Sequence, residues 1–128
     1  MTPYTIELQA YKEQAIATMT TGEMLILLYD ELIKRLKKAE ILAKNSDFQN
    51  FEKEVKHAQD IVNYLNAVLD PRFEISRNLK LLYEFFNYQM IRLIAGRNLT
   101  LIDELIPLID DLRETYRKAD KLSKKSSG

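Results

Sequence analysis

Residues 22–40, "GEMLILLYDELIKRLKKAE", decide the fold. Leu25, Leu28, Leu32, Leu36 and Ala39 recur at three- and four-residue spacing, which places them on one face of a helix. The same spacing scatters Lys34, Arg35, Lys37 and Lys38 around the solvated side rather than gathering them into a basic patch. Ile26, Leu27 and, just beyond, Ile41 do not belong to the stripe. These surplus apolar residues raise a question that the rest of the chain repeats.

Working outward, the ends of this helix and of three others are marked by turn residues. Thr20 and Glu23 form a capping box, in which the hydroxyl reaches a free backbone N–H and the carboxylate reaches back. The first helix runs to about Lys44, and Ser46 with Gln49 reads as a second capping box. The second helix continues to about Leu69. "DPRF" (70–73) is a turn, because Pro71 lacks a donor and restricts Asp70. If Asp70 is instead an N-cap, the third helix starts earlier; it ends near Gly96. Asn98 or Thr100 caps the fourth, with Asp103 favourable in its first turn. Pro107 lies inside that last pattern and is expected to kink it at the carbonyl of Asp103.

Each later helix carries its own core stripe: Phe51, Val55, Ala58, Val62, Leu65 and Leu69; then Ile75, Leu79, Leu82, Phe86, Met90 and Leu93; then Leu101, Leu105, Leu108, Leu112 and Tyr116. Nothing alternates with a period of two. Four helices of about 20 residues with short connections predict an all-α, antiparallel four-helix bundle. The expected organisation is an N-terminal flap (1–19), the bundle (20–121) and a disordered tail (122–128). The flap segment is weakly patterned and too short to hold a helix alone.

Assigning those stripes to a core leaves apolar residues over. Ile61, Tyr64 and Val68 form a second stripe about 100° from the first on helix two, from the helical turn per residue. Leu81, Phe85 and Tyr88 do so on helix three, and Ile102, Ile106 and Ile109 on helix four. One wide core stripe explains any single case. Three in succession point to a partner surface, since contiguous exposed apolar patches are uncommon on monomers. The occupant is another copy of the chain, another protein, or the chain's own N-terminal segment. Covering four or five large side chains is worth roughly 6 to 12 kcal/mol gross. Ordering a disordered peptide costs about 2 to 5 kcal/mol or more.

Composition narrows the function. The 128 residues, 46% apolar and 30% charged, make one domain with a real core. With 19 basic and 19 acidic residues the formal net charge is +0, which gives no general basic field for nucleic acid. No cysteine is present, so disulfides, thiolate metal sites and thiol nucleophiles are excluded. Neither a signal peptide at 1–10 nor an apolar run of about 18 residues is seen, and a cytoplasmic protein with no membrane span is expected. Glu54-x-x-His57 has the spacing of a di-iron bundle, but that site needs the motif twice, and His57 is the only histidine. His57 as a phosphoryl acceptor lacks the small Gly that should follow it. No metal, no cofactor and no enzyme are expected.

From Tyr11 to about Lys118 the chain resembles the FliS family of flagellar secretion chaperones. "AYKEQAIATMTTGEMLILLYDELIKRLKKAE" is similar to the family's opening, with Leu28-Tyr29-Asp30 on helix one. "IVNYLNAVLD" and "FEISRNLKLLYEFF" are similar to its central block, and "RLIAGRN" and "LIDDLRETY" to its closing segments, where Tyr116 stands for the more usual Trp. The resemblance implies an antiparallel bundle that holds the disordered C-terminal segment of flagellin coiled around it. It also implies that premature filament assembly is blocked and delivery to the export gate is aided. Export-gate or other flagellar regulatory proteins are further partners on that reading. By position, Tyr11 and Ile16 belong to the family's flap and its pocket. Tyr29, Asn78 and Arg92 are family-matched positions, functional or structural. Ile61, Tyr64, Val68, Leu81, Phe85 and Tyr88 are chosen as the flagellin groove from the stripes alone. Competing readings are a homo-oligomer, such as a homodimer, sealed along those stripes, and a phosphotransfer module using His57.

Overall fold

The computed structural model describes residues 21–127, with side chains to residue 122. The flap, with Tyr11 and Ile16, and the Thr20 half of the first capping box lie outside the described residues. Four helices follow in order: α1 (Thr21–Lys44), α2 (Phe48–Ala67), α3 (Glu74–Gly96) and α4 (Thr100–Ser127). No strand occurs among the described residues.

The ends have local causes. Between α1 and α2 the cap is Asp47, one residue on from the expected Ser46: its carboxylate accepts from the N–H of Asn50 at 3.3 Å. Ser46 instead takes the left-handed backbone conformation, φ 60°, that closes α1. Phe73 precedes α3 and offers no capping side chain. The turn before it is tied by Ser76, whose hydroxyl donates to the Asp70 carbonyl at 2.5 Å. Arg97 ends α3 in a left-handed conformation, its N–H donating to the Leu93 carbonyl at 2.8 Å. Its guanidinium lies 3.9 Å from the centre of the Phe48 ring, fastening the end of α3 to the start of α2. Asn98 caps α4 by accepting from the N–H and hydroxyl of Thr100. The helix is continuous through Pro107, which faces solvent. It extends to Ser127, where the sequence suggested a tail from residue 122.

Cross-links place the helices in an antiparallel ring. Arg35 of α1 bonds Glu54 of α2 at 3.1 Å, Asn87 of α3 donates to Asn63 of α2 at 2.9 Å, and Arg113 of α4 bonds Asp30 of α1 at 2.6 Å. Contact between α3 and α4 is the slightest of the four neighbouring pairs. Inside the ring, Leu32, Leu36, Phe51, Phe86, Leu93 and Leu105 are buried almost completely. Burial of each such side chain contributes roughly 1.5–3 kcal/mol.

The core differs from the expected stripes in phase. On α1, Tyr29 and Ile33 are buried while Leu25 and Leu28 are half-buried. Tyr83 joins the core from α3, and its hydroxyl meets that of Tyr29 at 2.6 Å. The ring of Tyr116 stacks on Tyr29 with centroids 5.7 Å apart. Ile75 and Leu108, expected in the core, are exposed. Ile102 and Ile109 of α4, expected as surplus, are core residues, because α4 turns that face toward the interior. The surplus of α2 and α3 remains, together with Ile41 at the end of α1, which is exposed.

Candidate functional site

On α3 the outer surface is apolar where a surface helix is ordinarily polar. Leu81 is 61%, Phe85 42% and Tyr88 59% exposed. Arg92 continues the row, its guanidinium 5.8 Å from the Tyr88 ring while its Nη1 donates to the buried Gln89. Leu108, 40% exposed, sits on the flank of α4 away from the Arg113–Asp30 link, and so toward α3. The loose α3–α4 seam therefore runs beside the row.

The surplus of α2 faces elsewhere. The Tyr64 hydroxyl approaches the Met24 sulfur of α1 at 3.9 Å, and Ile61 lines a shallow depression with Leu28, Glu31, Arg35, His57 and Asp60. Tyr64 and Val68 are exposed and Ile61 is half-buried. This second patch lies along the α1–α2 seam.

The two patches do not merge. Between them runs the α2–α3 seam, spanned by the Asn63–Asn87 hydrogen bond and lined nearby by Lys56, Gln59 and Asp60. Ile91, also exposed, interrupts this polar band. The single groove expected from sequence is thus two apolar surfaces on different sides of the bundle. The sequence could not separate them, because which flank of a helix meets which neighbour is set by the packing.

Of the family-matched positions, Tyr29 is wholly buried, and Asn78 and Arg92 are exposed. Burial, then the neighbouring Tyr83, pushes the Tyr29 phenol far above its ordinary value. Burial raises Tyr83 to about 12. These hydroxyls stay neutral and bonded to each other, which suits a structural role. The Glu-x-x-His pair is split: His57 is exposed, while Glu54 is buried with Arg35 at 3.1 Å and Lys38 at 3.4 Å. Burial raises the Glu54 carboxyl, but Arg35 and then Lys38 outweigh it and hold the group below its usual range. Among the described residues no cluster of His, Asp and Glu could hold a metal ion, and no helix is long and apolar enough to cross a membrane.

The order of these pieces along the chain is matched by one family: the pattern of the flagellar protein FliS covers residues 4–123. The chain belongs to the FliS family. The flagellar secretion chaperone FliS of Bacillus subtilis (strain 168) is 24% identical over 123 residues, spanning 96% of this chain and 90% of that protein. The crystal structure of a bacterial flagellar chaperone superposes with a TM-score of 0.77 at 23% identity, covering 93% of this chain and 98% of the other. That likeness speaks for the fold. FliS is a family of flagellar secretion chaperones, which is not an enzyme class.

Proposed function

We propose that this chain is a cytoplasmic export chaperone that binds the disordered C-terminal segment of flagellin, holding it from premature polymerisation and aiding its secretion. It acts by binding and not by catalysis. The observation that carries the reading is the row Leu81, Phe85 and Tyr88, large apolar side chains about half exposed on a bundle whose core is otherwise closed.

Magnitudes favour a client that wraps. Side chains already half covered gain about half of the usual 1.5–3 kcal/mol each when a partner covers the rest. Three of them on one patch therefore gain roughly 2 to 4 kcal/mol, no more than the 2 to 5 kcal/mol that ordering a peptide costs. Covering Tyr64 and Val68 as well, with Leu108 beside the α3 row, roughly doubles the gain and turns the balance favourable. A segment that coils from the α1–α2 seam to the outer face of α3 does this; a short peptide on one side does not. Lost premature assembly follows from the same contacts, since the apolar residues that flagellin would use for polymerisation are occupied.

Calorimetric titration of a synthetic flagellin C-terminal segment into the full chain tests the proposal. Saturable binding is expected, abolished by Phe85→Asp with helicity unchanged. Absence of both heat and thermal stabilisation at high micromolar peptide rejects it.

A further inference from the structure

Where α2 hands over to α3, the turn opens a cleft of about 750 Å³. Ligand pockets commonly fall between about 300 and 1,000 Å³. Leu69, Pro71 and Phe73 supply its apolar lining, and Asn66, Arg77 and Lys80 its polar lining. Phe73 is 62% exposed, so its ring is presented rather than packed.

The charge in this cleft is lopsided. Asp70 is taken up by Arg72, which grips both carboxylate oxygens through Nε at 3.0 Å and Nη2 at 2.6 Å. Arg77 and Lys80 have no ion pair or hydrogen bond to any side chain among the described residues. Glu74 is the one carboxylate in the lining, set against Arg72, Arg77 and Lys80. Since the whole chain has a formal net charge of +0, this excess is local and not part of a general basic field.

We propose that this cleft docks a short acidic segment of a partner protein, its apolar side chain seated on Leu69 and Phe73 and its carboxylates on Arg77 and Lys80. Charge complementarity selects the occupant: two unpaired cations beside an apolar bed match carboxylates flanking an apolar anchor. A nucleic acid would need a longer track of cations than the cleft holds, because its affinity grows with the number of phosphates neutralised. Lys80 lies on the α2 side of α3, while Arg77 stands one turn before Leu81, so the cleft borders the outer row of α3 at Arg77. The inference does not depend on the flagellin reading.

Fluorescence anisotropy of the full chain with a labelled synthetic peptide, glutamates around a central Leu-Phe pair, tests the assignment. Saturable binding is expected, weakening as salt shortens the range of charge interactions. A peptide with lysines in place of the glutamates should not bind. Arg77→Glu with Lys80→Glu should weaken binding about tenfold or more through like-charge repulsion, with helicity retained. Phe73→Ala should weaken it with the salt dependence unchanged. No saturable binding, equal binding of the lysine peptide, or indifference to the charge reversal each overturns the proposal. So does displacement of the peptide by phosphatidylglycerol vesicles or a single-stranded oligonucleotide at lower concentration than unlabelled peptide, which would assign the cleft to lipid or nucleic acid.

Discussion

The hydroxyls of Tyr29 and Tyr83 meet at 2.6 Å in the bundle interior, joining α1 to α3 across the core, with the Tyr116 ring stacked on Tyr29. Removing the Tyr29 hydroxyl strands that of Tyr83, whereas removing that of Tyr83 leaves Tyr29 the Tyr116 hydroxyl as a partner. Tyr29→Phe is therefore expected to destabilise the chain by about 1–3 kcal/mol, and Tyr83→Phe by less. Tyr29→Phe together with Tyr83→Phe should cost less than the sum of the two, since no unsatisfied hydroxyl of the pair remains. Urea unfolding of the three variants gives the coupling directly. Additive losses would mean that the hydroxyls do not depend on each other.

The same pair sets an alkaline limit. Burial raises the phenol of Tyr83 to about 12 and that of Tyr29 further. A free tyrosine ionises near about 10. Because the folded values are raised, the stabilisation is complete below pH 10; the Tyr83 part disappears as pH rises through 12, and the Tyr29 part is lost only beyond it. Thermal stability should fall across that window, and the fall should shrink in Tyr83→Phe. Tyrosinate absorbance compared between the two proteins checks that the Tyr83 phenol ionises only near the top of the range.

Glu54 works in the opposite direction. Burial raises its carboxyl, but Arg35 and Lys38 bring it below the usual range, so its contribution is present above the unfolded value of about 4.3 and is lost as pH falls. Glu54→Gln should lower stability at neutral pH by about 1–3 kcal/mol, as a buried acceptor for two cations is weakened. As pH falls through the lowered folded value the variant and the parent should converge. Unfolding curves taken from pH 7 downward distinguish this from a packing defect, which would persist throughout.

Much of the fold was legible because helix periodicity and turn chemistry are local. The stripe Phe51, Val55, Ala58, Val62 and Leu65 is buried throughout, and "DPRF" is the turn. Rotational phase was not legible on α1 and α4. Two apolar stripes about 100° apart look alike in sequence, and neighbouring helices decide which turns inward. Ile102 and Ile109 went in while Leu108 stayed out. Ile75 matches the core period but sits in the first turn of α3, beyond the reach of the packed layers. The candidate site was half legible: the exposed rows of α2 and α3 follow from surplus, but their separation depends on Asn63 meeting Asn87. The cleft at the α2–α3 turn is lined by residues 66–80 alone, but its concavity depends on how the turn folds the start of α3 against the end of α2, which periodicity does not report.

Substitutions at the two kinds of apolar position should separate cleanly. Ile109→Ala and Phe86→Ala remove buried side chains and should cost about 2–5 kcal/mol each. Leu81→Asp, on the exposed row, should leave stability within about 0.5 kcal/mol while abolishing client binding. Chemical denaturation paired with peptide titration measures both. If Leu81→Asp unfolds the chain, the outer face of α3 is not free surface and the binding role fails with it.

The separation of the two patches makes the last prediction. Tyr64 touches Met24 at the α1–α2 seam, whereas Phe85 lies on the far side of the Asn63–Asn87 bridge. Tyr64→Asp and Phe85→Asp share no partner, so their losses of affinity for the full flagellin C-terminal segment should add within about 0.5 kcal/mol. Halves of that segment should respond to one substitution each, and each half should bind far more weakly than the whole, because one patch barely offsets the cost of ordering a peptide. Titration of the whole segment and both halves against the two variants resolves this. A half-segment that binds as tightly as the whole, or that is weakened equally by both substitutions, would mean one continuous site and a client that does not wrap.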